Sequence, residues 1–394
     1  MCTRDRYTGL GKGSIGIHGV QNTDNLVLSL ATQNSARNSW SITPMVVNLT
    51  TGAMAKGTTT ALSATNTGGN YWTANSSGDD TGSVDYGLTT LGHYTGTLYR
   101  ARYYGFKFTN WGSISPTTVP TINLTSALTP SAQINGEVNT AWAGSTGSVG
   151  KYISVWRDNA GGDLTAFRAF QWNGNSGSTP SSYSPTTSAG GNRGSGYIAS
   201  WRNGISNANF AAHSAQAGNN ANPLITFVTT GNTSVAQNYN KGDVIASDSR
   251  SWFEGDTIRD VNNNWFFIHG AYKGSTAQHE IYAGQVTNAN TPASLPTVTY
   301  GAVNNTGTTG SIVMGDKLTK AYKCVQNAGN MQVTPITLDP TTRALTLGTA
   351  VTATGSVANG NNAYRGFYHS TYGQWIINGY WDGNANIYMS KLNP

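Results

Sequence analysis

Ser41-Ile-Thr-Pro-Met-Val-Val-Asn-Leu-Thr-Thr-Gly-Ala-Met-Ala-Lys-Gly-Thr58 recurs far downstream as Gln332-Val-Thr-Pro-Ile-Thr-Leu-Asp-Pro-Thr-Thr-Arg-Ala-Leu-Thr-Leu-Gly-Thr349. Thr, Pro, the Thr-Thr pair, Ala and Gly-Thr stand at matching offsets, and apolar residues face apolar residues almost everywhere else. Each copy reads as a β-hairpin: an apolar strand, a turn rich in Thr and Asn or Asp, and a second strand ending at Gly. Internal repetition decides architecture before local propensity does, and a hairpin recurring along so long a chain points to a radial β-array.

Two further repeats sample other strands of the same unit. Tyr152-Ile-Ser-Val-Trp-Arg157 returns as Tyr197-Ile-Ala-Ser-Trp-Arg202. Trp265–Gly274 followed by Ile281-Tyr282 is echoed by Trp375–Gly383 followed by Ile387-Tyr388. No window carries the spacing and caps of an amphipathic helix. The sequence therefore predicts an all-β fold: one β-propeller of four-stranded antiparallel blades over residues 1–394, with 1–14 as an N-terminal docking arm. Small-residue junctions near Thr67-Gly68, Thr146-Gly147, Gly190-Gly191, Ser247, Thr309-Gly310 and Thr354-Gly355 divide it into seven blades, and six or eight also fit. The last strand ends near Ser390, so the last blade lacks a member. An N-terminal strand around Ile15–Val20 is expected to complete it and remove the open edges of the ring, with Gly9–Gly19 passing beside that blade.

Composition limits the chemistry. Charged residues are only 10% of the 394, while Gly numbers 48, against about 25% charged in an ordinary domain. The 11 Trp and 20 Tyr exclude a disordered polymer. A net charge of +6 spread over scattered Lys and Arg leaves no nucleic-acid footprint. The start, Met1-Cys-Thr-Arg-Asp-Arg6, is polar and reads as no signal peptide. No apolar run approaches the roughly 20 residues of a membrane span. Cys2 and Cys324 make no disulfide framework.

The densest acidic group is Trp252-Phe-Glu-Gly-Asp-Thr-Ile-Arg-Asp260. Glu254, Asp256 and Asp260 could supply the two carboxylates of a glycoside hydrolase or the oxygens of a calcium site. The plainer reading is a solvated loop balanced by Arg259, with no metal and no cofactor. The six histidines show no ligand spacing beyond His269 and His279, which read as separate hydrogen-bonded residues. Tyr71, Trp72, Trp172, Tyr372 and Trp381 stand beside Asn, Gly and Ser in turn-like contexts. Exposed aromatic faces beside amides hold sugar rings; inter-blade packing is the competing use of each.

Ser83-Val-Asp-Tyr-Gly-Leu-Thr89 resembles the Asp-box of sialidases and related propellers, with Thr90 where that box has an aromatic. In those families the box steadies a turn between outer strands and does no catalysis. The whole chain, poor in charge and rich in Gly, Thr, Ser and Asn, resembles the β-rich virion proteins of tailed bacteriophages. That resemblance implies a non-enzymatic tail, fibre or capsid-associated component. It would be made in the host cytoplasm and carried in the virion in several copies, docked on other virion proteins or gripping a host-surface glycan. A carbohydrate-active propeller enzyme and a bacterial lectin-like module are the rival readings.

Overall fold

The computed structural model describes residues 2–8, 10–34, 39–65, 74–78, 82–94, 99–128, 134–146, 149–158, 164–175, 184–186, 225–230, 235–241, 250–259, 265–273, 278–287, 297–302, 304–305, 311–314, 319–327, 330–354, 361–381 and 384–392. The strands among them form seven sheets, all antiparallel, and the first six are each built from strands consecutive in sequence. The first holds Leu10–Gln21, Asn25–Asn34 and Ser39–Asn48, with an outer strand in two pieces, Met54–Lys56 and Thr60–Thr65. The second holds Ala74–Gly78, Tyr86–Tyr94, Tyr99–Phe108 and Ile122–Leu128; the third holds Ile134–Thr146, Val149–Asp158, Leu164–Trp172 and Ser184–Thr186. Ile225–Thr230 and Val235–Lys241 make the fourth. Arg250–Arg259, Trp265–Lys273, Gln278–Thr287 and the pieces Thr297–Tyr300 and Asn304–Asn305 make the fifth. Ser311–Met314, Lys320–Asn327, Asn330–Leu338, Leu345–Leu347 and Val351–Thr354 make the sixth.

The seventh sheet breaks the pattern. Its first three strands are Asn361–His369, Gly373–Trp381 and Asn384–Leu392, but its fourth is Cys2–Thr8, paired from Cys2 opposite Ser390 to Thr8 opposite Asn384. Head and tail of the chain thus share a sheet. First strands touch first strands of the next sheet: Leu10–Gln21 meets Ala74–Gly78, which meets Ile134–Thr146; Arg250–Arg259 meets Ser311–Met314, which meets Asn361–His369, which returns to Leu10–Gln21. Sheets in chain order around a ring of first strands are the architecture of a β-propeller.

Packing follows from strand alternation. Leu26, Leu28 and Leu30 face the seventh sheet with Ile15, Met45 and Val47, against Trp375, Ile377, Ile387 and Met389. The intervening Val27 and Val46 face the second sheet with Trp40 and Ile42, against Tyr104, Phe106 and Phe108. Both faces of the first sheet are therefore buried, which is why its strands are apolar nearly throughout. The same holds later: Ile336 and Leu338 pack on Phe266 and Ile268, while Met331 and Val333 pack on Tyr364 and Ile376.

The twin segments occupy twin places, each a third strand, a turn and the first piece of an outer strand. The Asn48 side-chain oxygen accepts the amides of Thr50 and Thr51 at 3.0 and 2.8 Å, and the Asp339 carboxylate accepts those of Thr341 and Thr342 at 2.8 and 3.3 Å. Gly52 and Arg343 sit at the same offset with φ of 74° and 62°. Pro44 and Pro335 sit where the outer strand is split. Neither has an N–H to give, but each carbonyl accepts the amide of Gly57 or Gly348, at 2.9 and 2.8 Å. The fifth sheet carries the device a third time, Gly301 donating to Ala283 at 2.9 Å.

Two expectations are corrected. Ile15–Val20 does not complete the last sheet; Cys2–Thr8 does, and Leu10–Gln21 is the first strand of the first sheet, lying beside the seventh. An outer strand needs little apolar surface, so the polar Cys2-Thr-Arg-Asp-Arg-Tyr-Thr8 could serve without an apolar signature. These two strands also take up much of the stretch 1–14. Thr146-Gly147 is not a junction between sheets: Ile134–Thr146 pairs with Val149–Asp158 in a hairpin, and the boundary falls between Leu128 and Ile134. Tyr197–Arg202 lies outside the described residues.

Candidate functional site

In such sheets the turns joining first to second and third to fourth strands gather on one face. Hydrogen bonds stitch that face together between the first and second sheets. Gln21 Nε2 donates to the Gly82 carbonyl at 2.8 Å, and Asn22 Nδ2 donates to the Ile114 carbonyl at 2.9 Å.

The carboxylates described on this face are occupied in holding it. Asp24 accepts from Asn48 Nδ2 at 2.8 Å. Asp85 meets Lys107 Nζ at 3.2 Å. Asp339 accepts the Thr342 hydroxyl at 2.7 Å as well as its two amides, and these hydrogen bonds hold its acid below the ordinary carboxylate range. The Thr342 hydroxyl is the largest cause, followed by the Thr341 and Thr342 amides. Among the described residues no three His, Cys, Asp or Glu side chains gather as a metal site.

Among the exposed Thr and Asn of these turns the face also carries one aromatic patch. In the turn after Asn361–His369, Tyr372 is half-buried and packs against the core between the seventh and first sheets. Its ring lies 5.0 Å from that of His369, and its carbonyl accepts the Trp375 indole N–H at 3.2 Å. His369 Nδ1 accepts the Thr371 amide at 3.2 Å, which leaves Nε2 to carry the proton of the neutral ring. The exposed Lys391 places its ammonium 5.9 Å above the Trp375 ring. Tyr372, His369 and Lys391 thus form a half-open patch of two rings and a cation.

The other nominated residues are dispersed. Trp172 is 1% exposed, and its ring covers Gly105 of the second sheet, so it fills the space between sheets and offers no face to a ligand. Trp381 ends the strand that begins beside Tyr372, so it lies at the opposite end of the sheet. Tyr71, Trp72 and Asp260 lie outside the described residues. Glu254 and Asp256 stand on the first strand of the fifth sheet, opposite Gly270 and Ile268. The Asp-box resemblance does not carry over. Ser83–Asp85 precedes the second strand of its sheet rather than joining outer strands, and Asp85 is drawn to Lys107 on the third.

Trp111 escapes the sequence reading. It sits in a single 3-10 turn, Trp111–Ser113, inside the excursion between Tyr99–Phe108 and Ile122–Leu128. Its one signal is Asn110-Trp-Gly112, the same turn chemistry that draws attention to Trp172.

No protein-family profile matches the chain, and no curated protein matches it significantly. Solved structures are similar in shape at low identity. The β-propeller domain of the Trilobed protease from Pyrococcus furiosus has 10% identity and a TM-score of 0.38, covering 98% of this chain and 96% of that one. The Penicillium chrysogenum alpha-L-arabinanase complexed with arabinobiose has 10% identity and a TM-score of 0.46, covering 98% and 97%. The Aleuria aurantia lectin in complex with alpha-methyl-L-fucoside has 13% identity and a TM-score of 0.39, covering 90% and 99%.

Proposed function

We propose that this chain is a non-enzymatic binding propeller of seven blades, the fourth sheet being the described part of its blade, and that it serves on a tailed-phage particle by gripping a host-surface glycan. The observation that carries the reading is a division of labour on the turn-bearing face. Asp24, Asp85 and Asp339 are spent on turns and an ion pair, whereas Tyr372, His369 and Lys391 stand half-open. Stacking faces beside a cation suit binding; engaged carboxylates do not suit acid–base chemistry. The low charge content favours docking against neighbouring proteins, where each buried charge costs desolvation. Repeated display on one particle would multiply weak contacts.

The test is glycan binding by purified protein, with Tyr372→Ala and Glu254→Gln as variants. The expected result is binding weakened by Tyr372→Ala, untouched by Glu254→Gln, and no cleavage of the bound polysaccharide. Cleavage abolished by Glu254→Gln would replace this reading with a hydrolase built on the first strand of the fifth sheet. Mass spectrometry of particles from an infected culture checks virion membership; its absence there would remove that part.

A further inference from the structure

We infer a second binding platform at Trp111, built for the flat face of a neutral pyranose; the inference rests on the glycan-binding reading above but uses a different place on the molecule. Trp111 stacks one ring face on Phe108, with centroids 5.3 Å apart and planes 20° from parallel. The residue is nevertheless only half-buried, so the core it packs on does not enclose the indole. Asn110, Gly112 and Ser113 around it are exposed, and a side chain grown from Gly112 would meet nothing within 4 Å.

The platform is rigid. Asn22 of the first sheet donates to the Ile114 carbonyl at 2.9 Å, and buried Ile114 anchors the loop in the core. Thr109 and Thr121 close its base, with a 3.0 Å hydroxyl contact and the Thr121 amide donating to Thr109 Oγ1 at 2.9 Å. Ser115 and Thr118 bridge its tip. A preorganised surface loses little entropy on binding.

Its chemistry selects the ligand. Thr109–Thr121 reads Thr-Asn-Trp-Gly-Ser-Ile-Ser-Pro-Thr-Thr-Val-Pro-Thr, without a charged residue. The flanking Lys107 is matched by Asp85 at 3.2 Å. Beside the indole the loop itself offers an amide and hydroxyls. Asn110 makes no side-chain capping bond, so its carboxamide can serve a ligand; Ser113 Oγ donates to the Asn110 carbonyl at 3.2 Å and can still accept. The loop offers an anionic sugar no cation of its own, whereas a neutral pyranose can stack its C–H face and hydrogen-bond at its rim.

The experiment titrates the full chain with cellopentaose, maltopentaose and a β-1,4-linked galactotetraose, with a sialylated trisaccharide as the anionic probe, by calorimetry and by the Trp111 indole N–H resonance, assigned from its loss in Trp111→Phe. At least one neutral probe is expected to bind and shift that resonance. Trp111→Ala should weaken binding roughly ten-fold and Trp111→Phe only about two- to three-fold, since a smaller ring still stacks. In Tyr372→Ala the midpoint read at the Trp111 resonance should stay within about two-fold of the parent, while any heat contributed by the Tyr372 patch falls away, as befits two separate sites. Binding insensitive to Trp111→Ala but lost in Tyr372→Ala would overturn the platform and leave the glycan reading standing. Binding of no neutral probe at millimolar concentration, or preference for the sialylated one at Trp111, would also overturn the platform. Thermal melts of Trp111→Phe matching the parent guard against misfolding.

Discussion

A methyl group at position 105 tests the packing between sheets most sharply. A Cβ added to Gly105 would lie 1.9 Å from Trp172 Cζ2, 2.3 Å from Cε2 and 2.4 Å from Cη2. Carbon atoms in contact sit about 3.5–4.0 Å apart, so ring or strand would have to yield by roughly 1.5–2 Å. Trp172 is 1% exposed and has no room to swing. Overpacking costs about 1–3 kcal/mol, offset in part by the ~0.5–1 kcal/mol gained when Ala replaces Gly in a strand. The upper end applies here because three ring atoms are struck, so Gly105→Ala should cost about 2–2.5 kcal/mol. Trp172→Leu alone should cost about 3 kcal/mol through the cavity it opens. In the double variant the methyl enters that cavity, and the loss should fall short of the sum by about 2 kcal/mol or more. Urea denaturation of the four proteins, with equal slopes, reads the coupling. Additivity within about 0.5 kcal/mol would show that Trp172 does not cover Gly105 and would refute the inter-sheet packing.

Two further outcomes follow from the turns and the split strands. Asp339 is held below its ordinary acid range when folded, so its contribution is present above the unfolded pKa near 3.8 and lost as pH falls through the lower folded value. Asn48 does the same work at the twin position with an uncharged oxygen, so Asp339→Asn should keep the fold and flatten the acid side of the stability profile between about pH 5 and 2; an unchanged profile would count against the turn. Gly57→Ala would bring its Cβ 2.4 Å from the Pro120 carbonyl and 2.8 Å from Pro44 Cγ, neither a flexible group. It should lower stability by about 2–3 kcal/mol, while Gly112→Ala, in open space, should change it by less than about 0.5 kcal/mol.

The repeat made much of this legible in advance. Pro44 and Pro335 stand in matching strands because each copy uses the same interruption in the outer strand, and the Trp265 and Trp375 segments are both second strands. Gly301 belongs to the same device but carries Ala283 in place of Pro, so its hairpin bears no resemblance in sequence. The closing strand was hidden because Cys2–Thr8 is polar. The boundary before Ile134 was hidden because a Thr-Gly turn within a sheet and one between sheets have the same composition. The site was less legible than the fold. Alternation says that half of the aromatics turn inward, not which half, so Trp172 and Tyr372 look alike in sequence, yet one fills the core and the other stands half-open. Carboxylates such as Asp85 and Asp339 declare their structural use only through partners distant in sequence or through turn geometry.

The closed ring itself rests on Cys2–Thr8 lying against Asn384–Leu392, with Arg6 opposite Asn386. Spin labels at Arg6→Cys and Asn386→Cys, in a Cys2→Ser background, probe that pairing directly. Opposed residues in an antiparallel pair have Cβ atoms about 4.5–5.5 Å apart. Strong dipolar broadening of the electron paramagnetic resonance spectrum, abolished by denaturant, is the expected result; sharp, non-interacting spectra in the native protein would contradict the closure.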